Sequence, residues 1–425
     1  MVHGTPPLLI SFVLATHNRR DVVLRTLGRL NECGLPRREY EVLVVDNASS
    51  DGTPSAIEPH VDAVIRLHVN EGSCAKARAA AQANGRFIVF LDDDSHPRAG
   101  SVERMLRHFD ANPLLAAAGF RVHLPDGAEE CAALPGVYVG CGVGLRPEAL
   151  RAVGGLDRSF FMQAEEYDLC FRLAAAGWRV DVFDDLHVEH EKTSVARRSE
   201  RTAYYDIRNN LRVLARYLPK PHRSTYQRDL IQRYQWLARL DGSERAFQRG
   251  RLAGRWLGVW ERRAYRRFRL PGSALESFFR WREILDRFEE LRRDKVRRVV
   301  LAGLGKNIYP FFRAACLTGM EIVAIGDDRF APLHESYRGA RVESLVSALS
   351  MGTDAVVVSD CAPVHAARTF CRVVELSGGP VHDWFGRAEN TLSPGKHCPT
   401  PRAASDESIE PARPSPALAI GHAVD

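Results

Sequence analysis

The sequence lacks several features that mark common classes of protein. No apolar run approaches the roughly 18 residues that a membrane-spanning helix needs. Residues 1–7 lack the basic start and the apolar core of a signal peptide. The nine cysteines are odd in number and form no CxxC pair, so neither a disulfide framework nor a zinc site is expected. These absences predict a cytoplasmic protein with reduced thiols.

What is present is an ordinary globular composition. The chain has 425 residues, of which 45% are hydrophobic and 26% charged. Such values exclude a fibrous or wholly disordered protein, and the length predicts two or three folded units. The formal net charge of +6 is modest, so its position along the chain carries more information than its size.

The first half of the chain alternates short β-branched runs with helical stretches, which indicates an α/β fold. Strands are predicted at residues 8–16, 41–49, 62–69 and 86–94, and helices at 19–31 and 75–84. In open α/β sheets, ligands bind outside the carboxyl ends of the strands. Polar clusters at those ends are therefore the candidate site.

Each predicted strand end carries residues suited to a different contact. The candidates are Thr16, Asn18, Asp46, Ser49, Asn70, Gly72, Asp92, Asp93 and Asp94. A strand-end aspartate can accept a hydrogen bond from a base or a ribose, and an Asn/Gly turn lets the backbone approach a nucleotide. Aspartates at positions i and i+2 of an extended segment can bind Mg²⁺ or Mn²⁺, which prefer oxygen ligands.

The order of these motifs resembles glycosyltransferase family 2 of the GT-A fold, including its rhamnosyltransferase-like members. The resemblance spans residues 8–219. It rests on seven segments in order, which are ATHNR, VVDNASSDGT, NEGSCAKARAAA, FLDDDSHP, CGVGLRPEALRAVGGLDRSFF, EEYDLCFRLAAAGW and HEKTS. It implies a GT-A domain with a mixed central sheet.

The resemblance also implies roles for individual residues. Those expected to line the nucleotide are Thr16, Asn18, Asp46 and Ser49. Asp92 would face the nucleotide sugar, Asp94 would bind the metal, and His190 would be a second metal or diphosphate contact. Glu165-Glu166 stands where the family usually has Glu-Asp, which favours Glu166 as the catalytic base. Glu165 stays an alternative because the second acidic residue carries an extra methylene.

These residue types suit one reaction, in which a sugar moves from a nucleotide-diphospho-sugar to a hydroxyl group. A divalent cation neutralises the departing diphosphate and a carboxylate takes the proton of the hydroxyl. A single displacement predicts an inverting enzyme. Its expected acceptor is a cell-surface glycan or a lipid-linked oligosaccharide, and its donor a UDP-sugar or a dTDP-deoxysugar such as rhamnose. The alternatives are a nucleotidyltransferase, against which the glycine-free ATHNR segment counts, and a noncatalytic glycan-pathway scaffold.

Residues 220–298 differ from the rest in charge. They carry 22 lysine and arginine residues against 10 acidic ones, and four of the six tryptophans. A helical segment of this kind favours either a solvated face or peripheral contact with an anionic membrane surface at the inner face of the cell membrane. No fold motif accompanies the charge, so nucleic-acid binding is not expected.

A second α/β pattern begins near residue 296. Its segment GLGKN, residues 303–307, resembles a dinucleotide-binding turn but lacks the third glycine, and NAD(P) binding is not expected there. The predicted division is a GT-A domain at 1–219, a helical connector at 220–295, a small Rossmann-like domain at 296–386 and a disordered tail at 387–425.

Overall fold

The computed structural model of the protein describes residues 8–192, 199–220 and 222–386. Two parts of the sequence prediction lie outside the described residues, namely the tail at 387–425 and the last two residues of the segment HEKTS. Within the described residues, no helix combines the length and the apolar character needed to cross a membrane.

The described residues contain two β-sheets, and the first is built by the N-terminal half. Its strands are β1 (Ile10–Thr16), β2 (Tyr40–Asp46), β3 (Ala63–Arg66), β4 (Phe87–Leu91), β5 (Ser95–Pro97), β6 (Leu115–His123), β7 (Glu129–Glu130), β8 (Gly142–Leu145) and β9 (Arg179–His190). Their order across the sheet is β3-β2-β1-β4-β8-β6-β9-β5, with β7 paired to β6. Strands β1 to β4 are mutually parallel, whereas β8 runs antiparallel to both β4 and β6. The predicted mixed sheet is therefore confirmed.

Helices pack on both faces of this sheet. In chain order they are α1 (Arg20–Leu30), α2 (Thr53–Ile57), α3 (Lys76–Ala80), α4 (Ser101–Ala111), α5 (Pro147–Ala152), α6 (Glu165–Ala175) and α7 (Glu200–Tyr217). Alternate side chains of a strand point to opposite faces, so Val13 and Phe12 of β1 belong to two separate apolar clusters. Both faces of the strand are buried, which accounts for its continuous apolar sequence.

The predicted strands agree with the structure in position but differ at their ends. The strand predicted at 86–94 stops at Leu91, so Asp92, Asp93 and Asp94 lie in the turn that follows it. Their carboxylates bond to neighbouring elements, which draws the backbone out of the strand ladder. The alanine-rich helix predicted at 75–84 is reduced to α3, which a single 3₁₀ turn precedes.

The basic segment is helical, as predicted. It forms α8 (His222–Asp241), α9 (Glu244–Ala264), α10 (Gly272–Phe279) and α11 (Trp281–Arg293), with breaks near residues 242 and 271. Phe278 and Phe279 of α10 pack into the core of the first sheet. Phe288 of α11 and Trp236 of α8 pack into the core of the second sheet. The segment therefore joins the two sheets by sharing its apolar side chains between them.

The second sheet belongs to a smaller α/β domain. Its strands are β10 (Arg298–Ala302), β11 (Glu321–Gly326), β12 (Ser336–Tyr337), β13 (Ala340–Glu343), β14 (Ala355–Val358) and β15 (Val381–His382), and its helices are α12 (Tyr309–Leu317), α13 (Leu345–Ser350) and α14 (Pro363–Leu376). The strand order is β12-β13-β11-β10-β14-β15, and only the β12–β13 pair among these is antiparallel. The second α/β unit expected from the sequence is confirmed, while the predicted domain boundaries stay predictions.

Buried charges fasten α6 to α7. Asp168 of α6 accepts hydrogen bonds from Arg172 Nε at 3.0 Å, Arg216 Nη1 at 2.6 Å and the Tyr217 hydroxyl at 2.5 Å. Glu261 of α9 accepts from Arg216 Nη2 at 2.7 Å. Asp168 therefore has a structural role, pairing with Arg172 within α6 and with Arg216 and Tyr217 of α7.

Three glycines let α9 approach α7 closely. They are Gly250, Gly254 and Gly258, four residues apart on one face of α9. A Cβ at Gly254 would lie 2.6 Å from the backbone oxygen of Arg208, and one at Gly258 would lie 2.8 Å from the Cβ of Ala215. The opposite face of α9 consequently points away from α7.

We predict that Gly254→Ala lowers stability, because the added methyl meets backbone that cannot move without separating the two helices. The expected loss is about 1–3 kcal/mol. Gly28→Ala in α1 is the matched control, since a Cβ there meets nothing within 4 Å. It should stabilise the protein by about 0.5–1 kcal/mol through helix propensity. Thermal unfolding of both variants checks this, and equal melting temperatures for the two would contradict it.

Candidate functional site

A cavity of about 1140 Å³ lies at the carboxyl ends of β1, β2 and β4. Seven residues that the sequence predicted line it: Thr16, Asn70, Gly72, Asp92, Asp93, Asp94 and His190. Its far side is formed by residues of α7 and α8 and of the second α/β domain, among them Asp206, Arg233 and Lys306. The cavity therefore extends from the strand ends of the first sheet to the second domain.

Asp93 anchors the turn that follows β4. The side chain is buried, and its two oxygens accept hydrogen bonds from the Thr16 hydroxyl at 2.7 Å and from the Arg19 guanidinium. Its backbone oxygen accepts from the Thr26 hydroxyl at 2.7 Å. Burial raises the pKa of Asp93 to about 6, although the charge of Arg19 acts in the opposite direction. Both carboxylate oxygens are thus engaged with β1 and the segment after it.

Asp92 points to the other side of the turn and pairs with a buried lysine. Lys76 Nζ donates to Asp92 Oδ1 at 2.6 Å and to the Gly140 carbonyl at 3.0 Å. Burial disfavours the charged carboxylate, but Lys76 holds the pKa of Asp92 below its ordinary value. Asp92 is therefore ionised at neutral pH, with an exposed side-chain fraction of 38%.

His190, at the end of β9, lies against Asp94. The distance from His190 Nε2 to Asp94 Oδ1 is 3.1 Å, and that from Nδ1 to Glu130 Oε2 is 3.3 Å. Burial opposes a charge on the ring, but hydrogen bonds with Asp94, Cys141 and Glu130 raise the pKa of His190 to about 12. Arg19 Nη2 also donates to Asp94 at 2.8 Å.

The donor set around His190 fits a divalent cation. Asp92, Cys141 and His190 each offer one ligand atom within 4.8 Å of the other two, and Asp94 borders the same ring. Burial raises the pKa of the Cys141 thiol, so the thiol stays protonated. The carboxylate oxygens are the harder ligands that Mg²⁺ and Mn²⁺ prefer. The carboxylates that raise the pKa of His190 would equally attract a divalent cation, and His190 would bind this cation as the neutral imidazole. Glu130, next to the other ring nitrogen of His190, Nδ1, would orient the imidazole.

The remaining predicted nucleotide contacts form a second cluster next to the cavity. The backbone N–H of Asn18 donates to Ser49 Oγ at 2.9 Å, and the N–H of Ser50 donates to Asn18 Oδ1 at 2.8 Å. Asp46 Oδ2 accepts from the Ser49 N–H at 3.1 Å. Asp46 Oδ1 is buried and has no hydrogen-bond partner among the described residues. An orphaned buried acceptor of this kind is suited to a donor on a ligand.

The turn at Asn70 and Gly72 supports the opposite wall. Gly72 has a φ of +70°, and a Cβ there would lie 2.1 Å from the backbone oxygen of Phe161. Ser73 follows it and donates to Phe161 O at 3.2 Å and to the carboxylate of Glu165. The predicted nucleotide turn is thereby connected to the segment that carries the candidate base.

Glu165 and Glu166 begin α6, where the helix dipole favours negative charge. Glu165 Oε2 has no hydrogen-bond partner in the described part of the chain. Burial raises the pKa of Glu165, and burial together with repulsion from Glu165 raises that of Glu166 well above its ordinary value. Raised carboxyl pKa values are typical of groups that exchange protons with a substrate. Neither Glu165 nor Glu166 lines the cavity directly, although their neighbours Ser73 and Gln163 do.

A buried asparagine holds the strained segment before these glutamates. Phe161, Gln163 and Ala164 have φ values of 68°, 68° and 64°, which non-glycine residues adopt only when their surroundings impose them. Asn209 Nδ2 of α7 lies 3.0 Å from Phe160 O, 2.7 Å from Met162 O and 2.8 Å from Gln163 O. We infer that this contact fixes the start of α6.

Sequence reasoning missed the partners of the acidic residues. Arg19 and Lys76 lie inside motifs that the sequence singled out, but only the structure shows that they neutralise Asp93 and Asp92. Glu130 lies in no recognised motif. Lys306 lies in the segment GLGKN, and the resemblance of this segment to a dinucleotide-binding turn gives no indication that Lys306 lines this cavity.

Two family models match the sequence of this chain. Residues 11–134 match the model described as glycosyl transferase family 2, and residues 131–285 match the model described as glycosyl transferase family group 2. The two matches together run from β1 into α11 and include the cavity's strand ends.

Curated relatives match over part of their length. The pre-mycofactocin glycosyltransferase of Mycobacterium tuberculosis is 29% identical over 219 residues, covering 44% of this chain and 46% of that protein. The poly(ribitol-phosphate) beta-N-acetylglucosaminyltransferase TarS of Staphylococcus aureus is 33% identical over 92 residues, covering 20% of this chain and 16% of that protein. The chain thus spans less than half the length of either relative.

Among solved structures, the mannosyltransferase PcManGT from Pyrobaculum calidifontis, in complex with GDP-Man and Mn²⁺, superposes with a TM-score of 0.41 at 18% identity. It covers 61% of this chain and 76% of that one. The assignment rests on the two sequence models, whose matches contain the strand-end aspartates, His190 and the Glu165-Glu166 pair. The chain belongs to glycosyltransferase family 2.

Proposed function

We propose that this protein transfers a sugar from a nucleotide-diphospho-sugar to a hydroxyl group of a cell-surface glycan or lipid-linked acceptor, with inversion at the anomeric carbon. The observation that carries the proposal is the cavity at the carboxyl ends of β1, β2 and β4. It brings the ionised Asp92 and the Asp94–His190 pair together at the strand ends of the first sheet, and it is also lined by Ser73, whose hydroxyl donates to Glu165. Its volume of about 1140 Å³ accommodates a ligand of this size.

Different residues would bind the nucleoside and the diphosphate of the donor. Asp46, Asn18 and Ser49 would hold the nucleoside, since Asp46 Oδ1 is free to accept a hydrogen bond from it. Asp94 and His190 would hold Mg²⁺ or Mn²⁺. When bound, this ion neutralises the charge that develops on the departing diphosphate.

Glu166 or Glu165 would take the proton of the acceptor hydroxyl. The acceptor oxygen forms a bond to the anomeric carbon while the bond from that carbon to the diphosphate oxygen breaks. The proton is transferred to the carboxylate, and the nucleoside diphosphate is the leaving group. Ser73 and the helix N-terminus stabilise the ionised form of Glu165, whereas the charge of Lys306 favours that of Glu166.

The first test is a panel of nucleotide sugars, including UDP-sugars and dTDP-rhamnose, offered with Mn²⁺ and saccharide acceptors. We expect release of a nucleoside diphosphate and an inverted product by NMR. Glu166→Gln should lower kcat by about 10²- to 10⁴-fold, the usual contribution of a general base. The same loss in Glu165→Gln alone would assign the base to Glu165.

Two results of this panel would contradict the proposal. Pyrophosphate in place of a nucleoside diphosphate would indicate a nucleotidyltransferase, and a retained anomeric configuration would exclude the single displacement. No turnover of any donor would favour a noncatalytic scaffold.

A separate prediction concerns the metal. We expect chelation by EDTA to abolish transfer and Mn²⁺ or Mg²⁺ to restore it. Asp94→Asn should raise the Mn²⁺ concentration needed for half-maximal activity by about tenfold or more, because it removes a charged ligand. Asp110→Asn, an exposed carboxylate of α4 paired with Arg86, is the matched control and should behave as wild type. Full activity in the presence of EDTA would show that transfer does not need a divalent cation.

We further propose that the membrane contact predicted for residues 220–298 is made by one face of α9. Four large apolar side chains are exposed there, Leu252 at 64%, Trp256 at 64%, Val259 at 61% and Trp260 at 65%. We name these four residues the α9 stripe. The indole rings of Trp256 and Trp260 lie 6.4 Å apart. Trp236, in contrast, is buried in the second domain, so it is not available to a membrane.

The charge beside the α9 stripe favours an anionic lipid surface as its occupant. Arg249, Arg255, Arg262 and Arg263 of the same helix are exposed. An amphipathic helix with tryptophans on one face and arginines at its borders binds the interface of anionic bilayers. A cytoplasmic location at the inner face of the membrane, where lipid-linked acceptors would be reached, is part of this proposal.

Vesicle co-sedimentation tests the α9 stripe. At low salt, wild type should bind vesicles containing phosphatidylglycerol and not vesicles of phosphatidylcholine alone. Trp256→Ser with Trp260→Ser should reduce the bound fraction by about tenfold, because the indoles lose their apolar burial. Leu114→Ser, which removes another exposed apolar side chain, is the control and should bind normally.

Equal binding of the double variant and wild type would remove the proposal. So would a wild-type dimer that binds no vesicles and that the double variant converts to monomers, since the stripe would then be an interface between copies of the chain.

A further inference from the structure

The loop after β10 occupies the edge at which a doubly wound sheet ordinarily binds a nucleotide. Here the polar groups of that loop are used within the protein. The N–H of Leu304 donates to Asp327 Oδ2 at 2.7 Å, and a Cβ on Gly305 would lie 2.7 Å from Asp360 Oδ2. The gap between this loop and α8 has a volume of only about 10 Å³. The glycine turn is therefore packed against its own domain and α8.

Helix α8 holds the loop in place. The Tyr226 hydroxyl donates to Asn307 Oδ1 at 2.6 Å, and the Tyr337 hydroxyl of the second domain donates to Asp229 at 2.9 Å. Arg338 Nη2 adds a bond of 2.8 Å to the same aspartate. These buried contacts orient the second domain, so the residue before Asn307 is fixed relative to the first sheet.

That residue is Lys306, and it lines the same cavity as Asp92 and His190. Its Nζ lies 4.5 Å from the centre of the Tyr167 ring, next in sequence to Glu166. The second domain therefore supplies a cation to the side of the cavity where α6 begins.

The charged groups that face this cation come from several elements. Asp206 of α7 and Glu166 of α6 favour the charged ammonium, and Arg233 of α8 disfavours it. Burial is the largest effect and lowers the pKa of Lys306 to about 8. On Glu166, burial and Glu165 favour the protonated form, Asp206 adds to them, and Lys306 acts in the opposite direction.

We propose that Lys306 is a positioning residue for glycosyl transfer, placed beside Glu166 by the second α/β domain so that the carboxylate stays ready to accept the acceptor's proton. The inference rests on the proposed function, with Glu166 as the base. Through Lys306, the second α/β domain would contribute to the reaction in the first domain, and this contribution does not require the second domain to bind a nucleotide.

The pH dependence of kcat/KM tests this proposal. Removing a positive charge makes the deprotonated carboxylate less stable, so Lys306→Met should raise the pKa of Glu166. The acidic limb of the profile should then move to higher pH by about one unit, which is about a tenfold loss of kcat/KM below the limb. Because Lys306 itself loses its proton near pH 8, the difference from wild type should fade above that pH.

Two further variants separate a charge effect from a structural one. Asp206→Asn removes a negative charge, so its acidic limb should move to lower pH, opposite to that of Lys306→Met. Lys306→Arg keeps the charge and should keep the limb near the wild-type position. Lys220→Met, at an exposed lysine between α7 and α8, should leave the profile unchanged.

If Lys306→Met and Asp206→Asn lower kcat/KM while their acidic limbs coincide with that of wild type, Lys306 has only a structural role and the proposal is wrong. A failure of the proposed function would look different, since wild type itself would then transfer no sugar. Thermal unfolding of each variant identifies any loss caused by misfolding.

Discussion

A carboxylate withdrawn from water must be paired or hydrogen-bonded, and this constraint organises the half of the chain that holds the cavity. The acidic turn after β4 is built on it, because Asp93 bonds to Arg19 and Asp92 to Lys76. The two partners belong to different parts of the chain, since Arg19 directly precedes α1 and Lys76 lies in α3. The pairs that make the buried charges tolerable are the same contacts that bring the strand ends together.

The same constraint extends from the site to the helices behind it. Asp168, one turn along α6 from the candidate bases, receives hydrogen bonds from Arg172, Arg216 and Tyr217. Breaking one partner of such a buried pair costs about 3–5 kcal/mol, because the other charge is left uncompensated. The orientation of α6, and with it the position of Glu166, consequently depends on α7. Glu166 differs from Asp168 in that the cation facing it comes from the second domain.

Much of the fold follows from local sequence patterns. The first four strands of the first sheet are short apolar runs between polar turns, and the strand-end motifs occur in the family order, so these strands and the acidic cluster of the cavity could be predicted. The contact of Lys306 with Tyr167 could not, because it joins positions about 140 residues apart and depends on how α8 packs between the two sheets. The local pattern shows only that its glycine turn resembles a dinucleotide-binding turn that lacks the third glycine.

The basic segment shows the same limit. Its arginines and tryptophans predicted an amphipathic surface over residues 220–298, but tertiary packing decides which aromatic side chains stay outside. Trp236 is 3% exposed within the second domain, whereas Trp256 is 64% exposed because the glycines of α9 face α7. The sequence therefore predicts the charge and the amphipathic character of this segment, but it does not predict which of its aromatic side chains are buried and which are exposed.

We propose that the cavity at the strand ends of the first sheet holds both the metal and the donor nucleotide. Crystals grown with Mn²⁺ and a nucleoside diphosphate, measured at a wavelength where manganese scatters anomalously, would locate both ligands. We expect an anomalous peak beside Asp94 and His190, with the diphosphate against it and the base near Asp46. A manganese peak elsewhere, or a nucleotide bound at the glycine turn of the second domain instead, would contradict it.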